Sequence, residues 1–389
     1  MLAGKRYALT RAAVITISII TTVTLGNLAR ADQVREAEWP LNAFHAEKSV
    51  WSRSTGRSVV VAVIDQGVRA SHQDLNRAVL PGKCFYAPCS PWIDTSVDGH
   101  GTAMASLVAG RGHGNSDGEG VVGLAPATRI LPLAVNLSSG SNGTQITQAI
   151  RFAVDSGASV INMSFGGLTS TDEVQLGVRY AESRDAVIVA SAGNFRSPKI
   201  EWPAAYPGVV AVGAVDVNGR VWEQSNYGPG LTLVAPGVNI VAAGANSDSE
   251  YRLSDGTSDA AAYVSAEAAL VRAEYPGLTA GQVVNRMIKS AVNPTGKVHD
   301  DHYGYGIIRP DAALTFDIPP GPPEGPLRQV DEAASPSGGA GPVGAVTASG
   351  GGRGHGGGGV AVAVGVGAGV VVGVGGLGWM WWRRRKAVG

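Results

Sequence analysis

Three side chains stand where an apolar run ends or a helix is expected to begin. Asp65 closes the run Val-Val-Val-Ala-Val-Ile within Val63-Ile64-Asp65-Gln66-Gly67-Val68. His100 lies in Asp98-Gly99-His100-Gly101-Thr102-Ala103, and Ser258 in Asp255-Gly256-Thr257-Ser258-Asp259-Ala260. A serine hydroxyl is a weak nucleophile until a base takes its proton. An imidazole can be that base when a carboxylate behind it fixes its tautomer and stabilises its cation. Taken singly, a His before Gly is usually a solvated turn residue and an Asp at a strand end is seldom catalytic. Asp, His and Ser together supply the parts of an acyl-transfer site.

Positioning three such groups requires a scaffold with several chain ends on one edge. Short β-branched runs at Val59–Ile64, Arg129–Leu133, Val160–Met163, Val187–Ala190, Val209–Val215 and Leu231–Ala235 alternate with amphipathic stretches. The helix candidates are Gly101–Gly110, Gln145–Ser156, Thr171–Ser183, Ala260–Tyr275 and Ala280–Ala291. That alternation predicts an α/β fold, a central and mostly parallel sheet with helices on its faces. Open sheets of this kind place their chemistry beyond the carboxyl ends of the strands.

The three blocks resemble the signature segments of the subtilisin-like serine proteases, the subtilases: Asp-x-Gly, His-Gly-Thr and Gly-Thr-Ser-x-Ala, in the family's order. The resemblance extends through most of residues 41 to 315, with Tyr303-Gly304-Tyr305-Gly306 near the domain's end, and implies the three-layer subtilisin-like fold. It also implies roles for two further segments. Ser191-Ala192-Gly193-Asn194 resembles the oxyanion block, with the Asn194 amide and the Ser258 backbone N–H facing the developing charge. Asn162-Met163-Ser164-Phe165-Gly166-Gly167 resembles the strand that pairs with an extended substrate, so Ser164, Phe165, Gly166, Ser191, Ala192 and Gly193 are expected to bind it. The family commonly has Pro and Gly where this chain has Ala262 and Ala266, changes that a helix interior accommodates. Asp259 directly follows the nucleophile. In a first helical turn it favours the helix dipole, whereas placed near His100 it would raise the imidazole pKa. An esterase would use the same three groups, but Ser258 lacks a Gly-x-Ser-x-Gly elbow and the chain order differs from that of α/β-hydrolases.

The two ends of the 389-residue chain read differently from its middle. Residues 1–31 combine Lys5, Arg6 and Arg11, an apolar run and Ala29-Arg30-Ala31, which predicts a secretory signal cleaved before Asp32. Residues 359–382 are uncharged; as a helix they would extend about 36 Å, enough for a ~30 Å hydrocarbon core. Trp379, Trp381 and Trp382 with Arg383–Lys386 predict an aromatic belt, a cytoplasmic tail at 383–389 and an extracytoplasmic body. Residues 318–358, rich in Pro, Gly and Ser, predict a flexible tether. The remaining divisions are a short extension at 32–58 and a catalytic domain at 59–317. The total charge is balanced at 31 basic and 31 acidic side chains, and without the eight basic residues at the ends it is about −8, which disfavours nucleic acid as a partner.

Cys84 and Cys89 are the only cysteines, too few for a zinc site without matching partners; outside the cell a local disulfide is the better reading, two buried thiols the plainer one. The short N-terminal region, the C-terminal membrane segment and Trp39-Pro40-Leu41 together resemble the mycosins, membrane-anchored subtilases associated with type VII secretion. That resemblance implies polypeptide substrates, a secretion complex in the membrane as partner, and processing of secreted proteins. A scaffold role in such a complex and a general nutritional protease are the alternatives. No cofactor is expected; calcium is common in the family, but Asp74 alone matches a plausible ligand, so no metal is claimed.

Overall fold

All six predicted strands become neighbours in one parallel sheet. The computed structural model describes residues 33–137, 143–167 and 170–327. The sheet strands are β1 (Val60–Asp65), β2 (Lys83–Cys84), β5 (Arg129–Ala134), β6 (Val160–Met163), β7 (Val187–Ser191), β8 (Val209–Val215) and β9 (Leu233–Pro236), in the order β2-β5-β1-β6-β7-β8-β9. Pairing is parallel throughout, with Val61 opposite Ile130 on one side of β1 and Val160 on the other. Strands covered on both faces read as unbroken apolar runs, which is why the sequence shows them without alternation.

The alternation reappears in the packing. Val61 and Val63 of β1 join one core layer with helices α1 (Trp39–Ala43), α2 (His100–Ala109), α5 (Thr257–Glu274) and α6 (Ala280–Ser290). Ala62 and Ile64 join the opposite layer with α3 (Gly143–Asp155) and α4 (Asp172–Ser183). The result is the expected three-layer α/β arrangement. Helix α5 runs through the interior; Ala260, Ala261, Ala262, Ala266, Ala268 and Ala269 are fully buried, and their small side chains let it lie close to the sheet. Ala262 and Ala266 therefore sit in the core, where a helix former costs nothing.

Two hairpins lie outside the sheet and were not anticipated: β3 (Arg111–His113) with β4 (Glu119–Val122), and β10 (Ile240–Ala243) with β11 (Tyr251–Ser254). Helix α5 also begins three residues earlier than expected, so Ser258 belongs to its first turn. Residues past Asp317 continue along α6, where Asn285 Nδ2 donates to the carbonyls of Pro319 and Pro320 and Gln282 Nε2 to that of Gly321. The expected signal segment (1–31), the spanning segment (359–382), the tail (383–389) and most of the tether (328–358) lie outside the described residues. Among the described residues no helix is long and apolar enough to cross a membrane.

Candidate active site

Asp65 is the last residue of β1 and is buried. Its Oδ1 accepts the Gln66 N–H at 2.8 Å, which leaves Oδ2 to meet His100 Nδ1 at 2.7 Å. His100 is the first residue of α2. That helix can approach β1 because residue 101 is glycine: a Cβ there would lie 2.1 Å from the Gly67 carbonyl oxygen and 3.0 Å from Asp65 Cβ. The helix start is held by Asp94 and Ser96. Asp94 Oδ2 accepts the Thr102 N–H at 2.8 Å and its hydroxyl at 2.7 Å, and Ser96 Oγ accepts the His100 N–H at 2.7 Å. Neither residue was singled out from sequence, because they stand six and four residues before the helix, whose N-cap position is Gly99.

Burial opposes the His100 imidazolium, but the charge and hydrogen bond of Asp65, together with the charges of Asp259 and Asp98, push its pKa up to about 9. Asp259 is 2% exposed and its two oxygens accept Ser254 Oγ at 3.1 Å each. Burial raises its own pKa to about 6, against the lowering effects of His100 and Arg252. Of the two readings open for Asp259, its burial favours the one in which its charge raises the imidazole pKa.

Ser258 is the second residue of α5. Its hydroxyl donates to the Ser164 carbonyl at 3.0 Å, and the Ser164 hydroxyl donates back to the Ser258 carbonyl at 2.9 Å. The hydroxyl thus rests on a backbone acceptor. Catalytic hydrogen bonds are often unmade in ligand-free sites and tighten with substrate.

Asn194 follows β7 and is exposed. Its Oδ1 accepts the Thr257 N–H at 3.0 Å and the Thr257 hydroxyl at 2.8 Å, which fixes the amide and leaves Nδ2 free as a donor. A Cβ built on Gly256 would lie 3.6 Å from Ser258 N and 3.7 Å from Asn194 Nδ2. The two donors therefore flank one space that glycine keeps open, a suitable place for a developing oxyanion.

Ser164, Phe165 and Gly166 extend from β6; Ser164 is buried, Phe165 is half-buried and Gly166 is exposed. Ser191 ends β7, Ala192 follows it in the core, and Gly193 turns with φ +111°. Between these two segments stands Glu201, not anticipated from sequence: Glu201 N donates to the Ala192 carbonyl at 3.0 Å, and Trp202 exchanges two 2.9 Å bonds with Gly167.

Cys84 and Cys89 are disulfide-bonded, with Cα atoms 6.0 Å apart, in the loop that leads to Asp94 and His100. Both oxygens of Asp74 are engaged: Oδ1 meets His113 Nδ1 at 2.6 Å and Oδ2 accepts the Val121 N–H at 2.8 Å. Among the described residues no group of His, Cys, Asp and Glu is arranged to hold a metal.

A His–Asp pair at the carboxyl edge of a doubly covered parallel sheet, together with a serine at a helix start, suits a serine hydrolase. A model of the subtilase family matches residues 56–306, and the chain belongs to that family and is a serine endopeptidase. It is 37% identical over 263 residues to subtilisin DY of Bacillus licheniformis, covering 66% of this chain and 91% of that one. It is 32% identical to fervidolysin of Fervidobacterium pennivorans over 72% of this chain, yet spans only 44% of the length of that relative. A crystal structure of MycP1 from the ESX-1 type VII secretion system matches with a TM-score of 0.64 and 30% identity, over 75% of this chain and 89% of that one.

Proposed function

We propose that this chain hydrolyses polypeptides with Asp65, His100 and Ser258 as its catalytic residues, at an extracytoplasmic membrane surface and in a mycosin-like processing role. The observation that carries the reading is the 2.7 Å His100–Asp65 contact, with Ser258 in the first turn of a buried helix. On substrate entry the Ser258 hydroxyl exchanges the Ser164 carbonyl for Nε2 of a neutral His100. It gives that nitrogen its proton while Oγ bonds to the substrate carbonyl carbon. The negative charge passes to the carbonyl oxygen, where Asn194 Nδ2 and the Ser258 N–H receive it. His100 returns the proton to the departing amine, leaving an acyl-enzyme, and then takes a proton from the water that hydrolyses it. An extended substrate running beside Ser164–Gly166 fits the open backbone there.

The secretion context is supported by the MycP1 likeness and by the termini, whose sequence has the character of a signal and a membrane anchor. The test is to incubate the full-length enzyme with secreted and envelope polypeptides and sequence the new N-termini. Cleavage at a few sites, absent with Ser258→Ala, is expected. Fragments identical with wild type and Ser258→Ala would contradict the assignment, and broad degradation would favour a nutritional role. Secretion that survives Ser258→Ala but not deletion would favour a scaffold.

A further inference from the structure

Glu201 is 5% exposed, and among the described residues no side chain donates a hydrogen bond to its carboxylate or pairs with it as a cation. Its oxygens still touch solvent, so an unpartnered anion faces the space between two chain segments, open to a cationic ligand. Burial alone raises its pKa.

Its position says which ligand. A Cβ on Gly166 would lie 2.3 Å from Glu201 Oε2, and one on Gly193 would lie 2.8 Å from Glu201 Cδ. The carboxylate thus fills the gap between the two segments that border Ser258, and it fits only because both borders are glycine. A substrate strand beside Ser164–Gly166, with its carbonyl at the oxyanion donors, directs the side chain preceding the scissile bond between these same two segments. Glu201 and Trp202 form the floor there, tied to Ala192 and Gly167 by their backbone bonds.

We propose that Glu201 is the specificity-determining residue of the cleft and selects a lysine or arginine side chain immediately before the scissile bond. The proposal rests on the serine-protease reading of the same site. A long cationic side chain brings an apolar stem for the walls and a charge for the carboxylate, which neutral or acidic side chains leave unpaired. Discrimination is strongest where the wrong substrate strands a buried polar group.

The test uses the full-length enzyme and fluorogenic peptides that differ only in the residue before the cleaved bond: Lys, Arg, Met, Phe or Glu. Lys and Arg are expected to exceed Met, an uncharged side chain of similar length, at least tenfold in kcat/KM, with Glu poorest. In Glu201→Gln the Lys-to-Met ratio falls to within about threefold. Met or Phe equal to or above Lys in the wild type, or an unchanged ratio in Glu201→Gln, overturns the proposal. Should that variant not fold, the wild-type series decides, together with protection of Ser258 from a fluorophosphonate. Benzamidine is expected to protect and its neutral relative toluamide is not; equal effects of the two overturn the proposal. A wild type that takes no fluorophosphonate label overturns the serine-protease reading itself, an outcome distinct from a labelled enzyme with the wrong preference.

Discussion

Asp259 is a second anion beside the imidazole of His100, the proposed base, and it sits one residue from Ser258, the proposed nucleophile. Catalysis needs neutral His100, so kcat/KM climbs with pH and levels off above the imidazole pKa of about 9. Asn at position 259 removes an anion that favours the imidazolium, so the pKa falls and the rising limb moves to lower pH. Asp259→Asn is expected to reach half-maximal kcat/KM roughly half to one unit below wild type. A coincident limb would show that the Asp259 charge does not reach His100. The type and order of Asp65, His100 and Ser258 were legible because each stands at an element end, where sequence pattern is strong. Asp259 left two readings open, since burial and neighbours decide whether a first-turn carboxylate serves the dipole or the base. Glu201 was not legible at all: its significance depends on the chain returning between Gly166 and Gly193, which no local pattern records.

The start of α2 is where an element's stability and its chemistry meet. Asp94 receives the Thr102 N–H and hydroxyl on one oxygen and the Ser96 N–H and hydroxyl on the other, and Ser96 in turn accepts the His100 N–H. Asp94→Ala removes a helix cap, which costs about 1–2 kcal/mol. Chemical denaturation should show that loss, and steady-state kinetics should show kcat falling more than KM rises, because His100 is less well held. Unaltered stability and kcat would mean that Gly101 and the Asp65 contact position the imidazole unaided. The six sheet strands were readable because doubly covered strands are uniformly apolar. The hairpins β3-β4 and β10-β11 were not, because strands of three or four residues are too short to show a period, and Arg111–His113 and Tyr251–Ser254 carry too few apolar residues to mark them as partners. The β10-β11 pair nevertheless contributes Ser254 and Arg252, which hold Asp259 and Asp98.

Residues 33 to 54 pack against the catalytic body and not across its cleft. Trp51 Nε1 donates to the Leu124 carbonyl, Phe44 meets Tyr263 of α5 edge-on, and Val50 is fully buried. Trp39 Nε1 donates to the Val238 carbonyl, next to Gly237, whose own carbonyl accepts the Gly256 N–H behind the nucleophile. Glu38, its pKa raised to about 8 by burial despite Arg35, accepts the Val122 N–H. Aromatic residues in such an extension suit a cover for the cleft as well as a buttress, and only the contacts they make decide between the two. Deleting residues 33–54 is expected to lower Tm by about 10 °C or more, as several buried apolar side chains are lost, without raising kcat/KM. A truncated enzyme of unchanged Tm and greater activity would instead mark the segment as a block. Arrangement of the body about a nucleophilic serine is the central claim, and covalent labelling by a fluorophosphonate tests it most directly. Mass analysis should find one adduct, on Ser258, forming faster as pH rises toward 9 and absent from Ser258→Ala; equal labelling of that variant, or no labelling of the wild type, would contradict the account.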